Sequence, residues 1–67
     1  MYKFCERLKE LRLEKGLSQA ELSSNTGLSQ SAIAFWENGK RVPNAQVIIT
    51  LAKYFDVTTD YLLGLED

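Results

Sequence analysis

The sequence contains no histidine and only one cysteine, Cys5, among its 67 residues. A chain without histidine lacks the most common general base and the imidazole ligand of many zinc sites. A single cysteine cannot form a disulfide within the chain, and we expect Cys5 to be a small core residue. These absences predict a protein that is not an enzyme and that holds no metal and no cofactor.

Long apolar segments are also missing. Runs such as Val47-Ile48-Ile49 fall far short of the roughly 18 residues that a membrane-spanning helix needs, and nothing resembles a signal peptide. We therefore expect a cytoplasmic protein without a membrane partner. The length predicts one domain, residues 1–67, and the 45% hydrophobic and 25% charged residues are typical of a globular fold.

The sequence does contain a series of short amphipathic helix patterns, each with its own start signal. Ser18, Ser29, Asn44 and Thr58 stand where N-cap residues accept hydrogen bonds from the first turn. The β-branched run 47–50 also favours a strand, but no second strand-like segment is present to pair with it. The sequence therefore predicts an all-α fold of five helices. Four of them lie at about residues 3–15, 19–25, 30–38 and 59–63, and the remaining one is capped by Asn44 and has an apolar face from Ala45 to Phe55.

Residues 19–38 contain two short helices joined by a glycine turn, which is the pattern of a helix-turn-helix. The residues that carry a family resemblance are Gln19-Ala20-Glu21-Leu22, Gly27, Ile33, Glu37-Asn38-Gly39-Lys40 and the ending Asp56-Val57-Thr58-Thr59-Asp60-Tyr61-Leu62-Leu63-Gly64. In these positions the chain resembles the phage repressor and Cro type of helix-turn-helix domain, the Xre family, over nearly its whole length. The resemblance implies a compact, lambda-repressor-like fold. Ser23, Thr26 and Trp36 depart from the family pattern, which affects packing details.

The predicted third helix has two faces on a helical wheel, with Ile33 and Trp36 on the inward side. The resemblance implies base contacts in the major groove by four residues: Gln30, Ser31, Ala34 and Phe35. Glutamine can bind adenine through two hydrogen bonds, and phenylalanine can contact a thymine methyl group. As alternatives, Gln30 and Ser31 are ordinary solvated residues of a first turn, and Phe35 is covered by local packing.

The net charge of −1 does not favour nucleic acid by itself, but the charge is unevenly distributed. Residues 1–43 carry seven Lys and Arg against five Glu, whereas residues 44–67 carry one Lys against four acidic residues. This distribution is compatible with one basic face and equally with an ordinary solvated surface. The resemblance implies that Gln19 contacts the DNA backbone. Asn38, Lys40 and Arg41 follow the third helix, and two cations beside a tight turn can approach the phosphates of the same groove. As an alternative, this charge pair is simply solvated.

Arg12 and Glu37 correspond, by the same resemblance, to the family's structural salt bridge between the first helix and the end of the third. The helical wheels agree, since each residue lies beside the apolar stripe of its helix. We therefore expect Arg12 to support the fold and not to contact DNA.

These expectations describe a sequence-specific transcriptional regulator that binds double-stranded DNA. We expect a repressor that binds a palindromic operator as a homodimer, with Val42, Thr59 and Leu63 at the dimer surface. The second hypothesis is an antitoxin or adaptor that uses the same helices to hold a partner protein. Salt-dependent binding to duplex DNA distinguishes the two.

Overall fold

Five α-helices follow one another along residues 2–67, the part of the chain that the computed structural model describes. They are α1 (Tyr2–Glu14), α2 (Gln19–Thr26), α3 (Gln30–Glu37), α4 (Ala45–Phe55) and α5 (Thr59–Leu63). No strand occurs within these residues. The predicted all-α fold of five helices is confirmed, and the boundaries predicted for α1, α2, α3 and α5 lie within one residue of those observed.

Four of the helices begin at the predicted N-cap residues. In each case the side-chain oxygen of the N-cap residue accepts a hydrogen bond from the backbone amide three positions later. These N-cap residues are Ser18, Ser29, Asn44 and Thr58. At α2 the interaction is reciprocal, because the Glu21 carboxylate accepts a 2.8 Å hydrogen bond from the backbone amide of Ser18. This backbone hydrogen bond, with a second contribution from the Ser18 side chain, lowers the pKa of Glu21 from its ordinary value.

The β-branched run 47–50 lies within α4 and not in a strand. Its neighbours Leu51, Ala52 and Phe55 on one helix face are 0%, 4% and 7% exposed. Because this face is buried against the other helices, packing outweighs the modest β-propensity of the run. The helix ends at Phe55, and the next residue, Asp56, forms the C-cap with a positive φ of 56°, although it is not a glycine.

The core lies between the helices, and α1 packs against both α3 and α5. Its buried side chains are Phe4, Leu8, Leu11, Leu22, Ile33, Trp36, Leu51, Ala52, Phe55 and Leu62. Every helix contributes at least one of them. Among the described helices, none combines the length and the apolar character that crossing a bilayer requires.

Arg7 ties the C-terminal segment to α1. Its guanidinium donates hydrogen bonds of 3.0 and 3.1 Å to the carbonyl oxygens of Tyr61 and Glu66, and it lies 4.1 Å from the centre of the Tyr61 ring. Gly64 allows this close approach, since a Cβ there would fall 2.3 Å from Cβ of Lys3. The sequence patterns did not reveal this contact, because no local spacing connects residues more than 50 positions apart.

Candidate nucleic-acid interface

The turn between α2 and α3 is closed by side-chain hydroxyl groups. The Ser23 hydroxyl donates to the carbonyl oxygen of Leu28, and the Thr26 hydroxyl donates to that of Leu22 at 2.7 Å while accepting from the Leu28 amide at 3.2 Å. Gly27 supplies the left-handed conformation of the turn, with φ of 77°. Ser23 and Thr26, which depart from the family pattern, therefore hold the angle between the two helices through hydrogen bonds.

α3 separates into a buried side and an accessible side. Ile33 and Trp36 are 0% and 7% exposed and belong to the core, so the departure at Trp36 is accommodated by burial. Gln30 and Ser31 are exposed, while Ala34 and Phe35 are half-buried. Burial of one side fixes the rotation of α3 about its axis, and this rotation presents Gln30 and Ser31 outward.

A shallow, open groove of about 420 Å³ lies along the start of α2 and the accessible side of α3. Its lining residues are Gln19, Ser29, Gln30, Ser31 and Ala34. The fold thus brings Gln19 together with three of the four residues predicted to contact bases. Ser29 was not predicted for the site; its role as the N-cap of α3 places it there.

A buried ion pair joins α1 to the end of α3. Arg12 donates from Nε and Nη2 to the two carboxylate oxygens of Glu37, at 2.7 and 3.0 Å. The side chains of Arg12 and Glu37 are only 10% and 3% exposed. The hydrogen bond to Glu37 is the main cause that raises the pKa of Arg12, against the opposing effect of burial. The two residues are therefore held together as a charged pair with fork geometry.

Each partner of this pair has one further contact. Arg12 also donates a 2.7 Å hydrogen bond to the carbonyl oxygen of Leu17, at the entry to α2. Glu37 also accepts a 3.2 Å hydrogen bond from the side-chain amide of Gln19. The pair therefore connects α1, α2 and α3, and it holds Gln19 in the groove. The sequence predicted the residues of the pair but not the bond to Gln19, which requires the crossing of α2 over α3.

The segment after α3 turns back toward the helix. Gly39 has φ of 74°, and the Lys40 amide donates a 2.9 Å hydrogen bond to the carbonyl oxygen of Phe35. Asn38, Lys40 and Arg41 are exposed. The guanidinium carbon of Arg41 lies 4.6 Å from the centre of the Phe35 ring, which is a cation–π contact. Two cations are therefore placed next to the C-terminal end of α3.

Other cations of the described chain are engaged away from this segment. Arg7 binds the carbonyl oxygens of Tyr61 and Glu66, and Lys15 lies 5.2 Å from the centre of the Tyr54 ring. The Tyr54 hydroxyl in turn accepts a 2.9 Å hydrogen bond from the side-chain amide of Asn25, and this bond connects α2 with α4. Lys40 and Arg41 are the exposed cations that directly follow α3 in the chain.

Comparison with known proteins gives a consistent result. A family model described as helix-turn-helix matches residues 8–62. The chain is similar to the restriction-modification controller protein C.AhdI from Aeromonas hydrophila, with a TM-score of 0.81 and 40% identity over 90% of this chain and 91% of that one.

Two curated relatives are longer than this chain. It is 41% identical to the transcriptional activator BcrR of Enterococcus faecalis, covering 96% of this chain and 31% of BcrR. It is 34% identical to the repressor protein C2 of Salmonella phage P22, covering 87% of this chain and 27% of the repressor. The chain thus spans 31% and 27% of the length of these two relatives, one an activator and the other a repressor.

The match of the family model to most of the chain and the agreement with C.AhdI over nearly its full length establish the family. The prediction that the chain is not an enzyme is confirmed by this membership, since the relatives are regulators of transcription. The chain belongs to the helix-turn-helix family of DNA-binding transcriptional regulators, of the phage repressor and Cro type known as the Xre family.

Proposed function

We propose that this chain recognises a specific duplex sequence as a two-fold dimer and represses transcription by occupying it. The observation that carries the proposal is the groove in which Gln19 from α2 lies beside Gln30, Ser31 and Ala34 from α3. An accessible helix that is rigidly placed by a buried opposite side suits insertion into the major groove of DNA.

The residues of α3 suit contacts with base edges. The side-chain amide of Gln30 can donate one hydrogen bond to an adenine and accept another from it. The Ser31 hydroxyl can form hydrogen bonds with several bases. Ala34 offers a small apolar surface for a thymine methyl group, and its lack of bulk allows the helix to approach closely. We assign base recognition to these three residues.

The residues at the two ends of the groove suit contacts with phosphates. Gln19 lies in the first turn of α2, where the helix dipole favours an anion, and its amide keeps a second N–H beyond the bond to Glu37. Asn38, Lys40 and Arg41 follow α3 and are exposed. Phosphate contacts at both ends would fix the depth and the register of α3 in the groove.

The proposed dimer uses Val42, Thr59 and Leu63. Val42 is 73% exposed, which is high for a large apolar side chain, and Thr59 is also exposed while Leu63 is half-buried. A small core gives a 67-residue chain limited stability, and a second copy adds buried apolar surface. The two-fold axis of such a dimer predicts an operator with inverted symmetry and half-site centres about 34 Å apart.

The proposal is tested by selecting bound duplexes from a random pool and sequencing them. We expect an inverted repeat, and we expect sedimentation to find two chains on each site. A transcription assay on the selected site then distinguishes repression from activation, which the two kinds of relative leave open. Recovery of no preferred duplex, together with salt-independent capture of a protein partner, would instead support an antitoxin or adaptor role.

The dimer surface is tested separately by Val42→Glu, with Leu13→Glu as the matched control. Leu13 is an exposed apolar residue of α1, 58% accessible, and is not assigned to the surface. We expect Val42→Glu to shift sedimentation toward the monomer and to weaken binding to the full operator. Equal behaviour of the two variants would exclude Val42 from the dimer contact.

A further inference from the structure

The ring of Phe35 is covered on one face by the guanidinium of Arg41. The distance of 4.6 Å from the guanidinium carbon to the ring centre lies within the roughly 6 Å over which an aromatic face attracts a cation. Phe35 is also half-buried on α3. A ring with one face occupied and part of its surface packed has little area left for a base.

The backbone fixes this contact through the turn after α3. Gly39 has a positive φ of 74°, and the Lys40 amide is bonded to the carbonyl oxygen of Phe35 at 2.9 Å. Residue 41 is thereby returned to the side of the helix that carries residue 35. The closed turn therefore brings the backbones of these two residues close enough for their side chains to meet.

The contact with the ring leaves the guanidinium able to bind an anion. Arginine has five N–H donors, and a contact with one face of a single ring does not use all of them. An arginine that is already held against α3 also loses less rotamer freedom when it binds a phosphate. Among the described residues, Arg41 forms no salt bridge with an acidic side chain, whereas Arg12 donates two hydrogen bonds to Glu37 and one to the carbonyl oxygen of Leu17.

We infer that Phe35 is a positioning residue that holds the Arg41 guanidinium for a backbone phosphate beside the recognition helix, and that its ring does not contact a base. This inference rests on the proposed binding of duplex DNA. In this role Phe35 strengthens binding to every DNA sequence. A contact with a thymine would instead make Phe35 affect the sequence preference at one base pair.

The test compares four variants on the selected duplex and on a set of duplexes with single base-pair changes. Phe35→Tyr keeps the aromatic face, and Phe35→Leu keeps an apolar side chain without one. Arg41→Ala removes the cation, and the double variant Phe35→Leu/Arg41→Ala closes the cycle. Thermal unfolding of each variant first establishes that it is folded.

We expect Phe35→Tyr to bind like the unmodified chain. We expect Phe35→Leu to bind every duplex about 2- to 5-fold more weakly for each bound subunit, the factor that an exposed cation–π contact is worth. The slope of log K against log salt should become shallower by up to about 0.9 per subunit in Phe35→Leu and Arg41→Ala. The double variant should bind no more weakly than Arg41→Ala alone.

Three results would overturn the inference: a loss in Phe35→Leu confined to one base pair, additive losses in the double variant, or an unchanged salt slope in Arg41→Ala. The contact itself is measured without DNA, as an upfield ring-current shift of the Arg41 side-chain protons that Phe35→Leu abolishes. If the unmodified chain selects no duplex, the proposed function fails. If it selects one and any of the three results appears, only the role of Phe35 fails.

Discussion

At the scale of single residues, Glu37 links the stability of the fold to the surface proposed for DNA. Its carboxylate accepts two hydrogen bonds from Arg12 and one from Gln19. Gln30 and Ser31, one to two turns earlier on α3, have exposed side chains that the core does not need. Substitutions in the Arg12–Glu37 pair should therefore affect folding, whereas substitutions of Gln30 or Ser31 should affect binding.

Arg12→Ala should lower the free energy of unfolding by about 3 kcal/mol, because Glu37 is left as a buried charge without its partner. The total free energy of unfolding of a domain is typically only about 5–15 kcal/mol, so this loss is large. Urea unfolding measures the loss. The control is Lys9→Ala, an exposed residue three positions earlier on α1, which we expect to cost less than about 0.5 kcal/mol. Equal losses in both variants would contradict a buried pair.

Gln30→Ala should leave the melting temperature nearly unchanged but reduce discrimination at one base pair of each half-site by about 1–3 kcal/mol. The physical reason is the loss of a two-bond contact with a base by a side chain that is exposed in the folded protein. Binding constants for all single-base variants of the operator measure the effect. Gln46→Ala on α4 is the matched control, and we expect no change in preference. Uniform weakening across all sequences would show that Gln30 contacts the backbone instead.

At the scale of secondary structure, each short helix depends on its ends. α2 and α3 have eight residues each and α5 has five, so the caps satisfy a large fraction of their backbone groups. The end of α4 is less favourable. Asp56 adopts a left-handed conformation that disfavours most side chains, and it places a negative charge at a helix C-terminus.

Asp56→Asn should raise the free energy of unfolding by about 0.3–1 kcal/mol, since asparagine tolerates the left-handed region and carries no charge. Asp60→Asn serves as the opposite control. Asp60 lies in the first turn of α5, where a negative charge is favourable, so its removal should lower the stability by a similar or smaller amount. Thermal unfolding of both variants measures the two signs. Stabilisation by both changes would show that the net charge of the chain, and not the position of the residue on a helix, determines the change in stability.

Glu21 makes the stability contributed by the cap of α2 dependent on pH. Its pKa is lowered in the folded chain by hydrogen bonding to Ser18, so its contribution is complete above the ordinary value of 4.5 and is lost as the pH falls through the lower folded pKa. The difference in unfolding free energy between the unmodified chain and Glu21→Gln should therefore shrink as the pH is lowered from about 7 to about 3. Urea unfolding across this range measures it, with Glu14→Gln as a control for net charge. A difference that stays constant with pH would contradict this prediction.

At the scale of the whole molecule, the distribution of cations limits the electrostatic part of DNA binding. Among the described residues, Arg12 is buried with Glu37 and Arg7 is bonded to the C-terminal segment. Lys40 and Arg41 are the cations that follow α3, on a chain with a net charge of −1. A protein of this kind depends more on shape and hydrogen bonding than a strongly basic binder does.

A dimer that uses three cations or fewer per subunit should show a slope of log K against log salt no steeper than about −5, from −0.9 for each of about six phosphates. Titration of the selected duplex at several salt concentrations measures the slope. Lys40→Ala should make it shallower, while Lys53→Ala on α4 should leave it unchanged. A slope near −10 would show that a further basic surface contacts the DNA.

The sequence alone determined the helices, their N-caps and the family, because these depend on short spacings: a capping residue, an apolar period of 3.6 and a glycine at a turn. It also indicated Gln30 and Ser31 as accessible, since Ile33 and Trp36 fix the opposite side of α3 as core. The helices and their caps are specified by residues fewer than ten positions apart, whereas the family resemblance is the sum of such short motifs along most of the chain.

Only the tertiary structure decided how those elements combine into a surface. The bond between Gln19 and Glu37, the contact of Arg41 with Phe35 and the anchoring of the C-terminal segment by Arg7 join residues that no helical period relates. Their geometry depends on the crossing of α2 over α3, on the closed turn after α3 and on the packing of α5 against α1. These are set by how the buried side chains fit together, which no local pattern specifies.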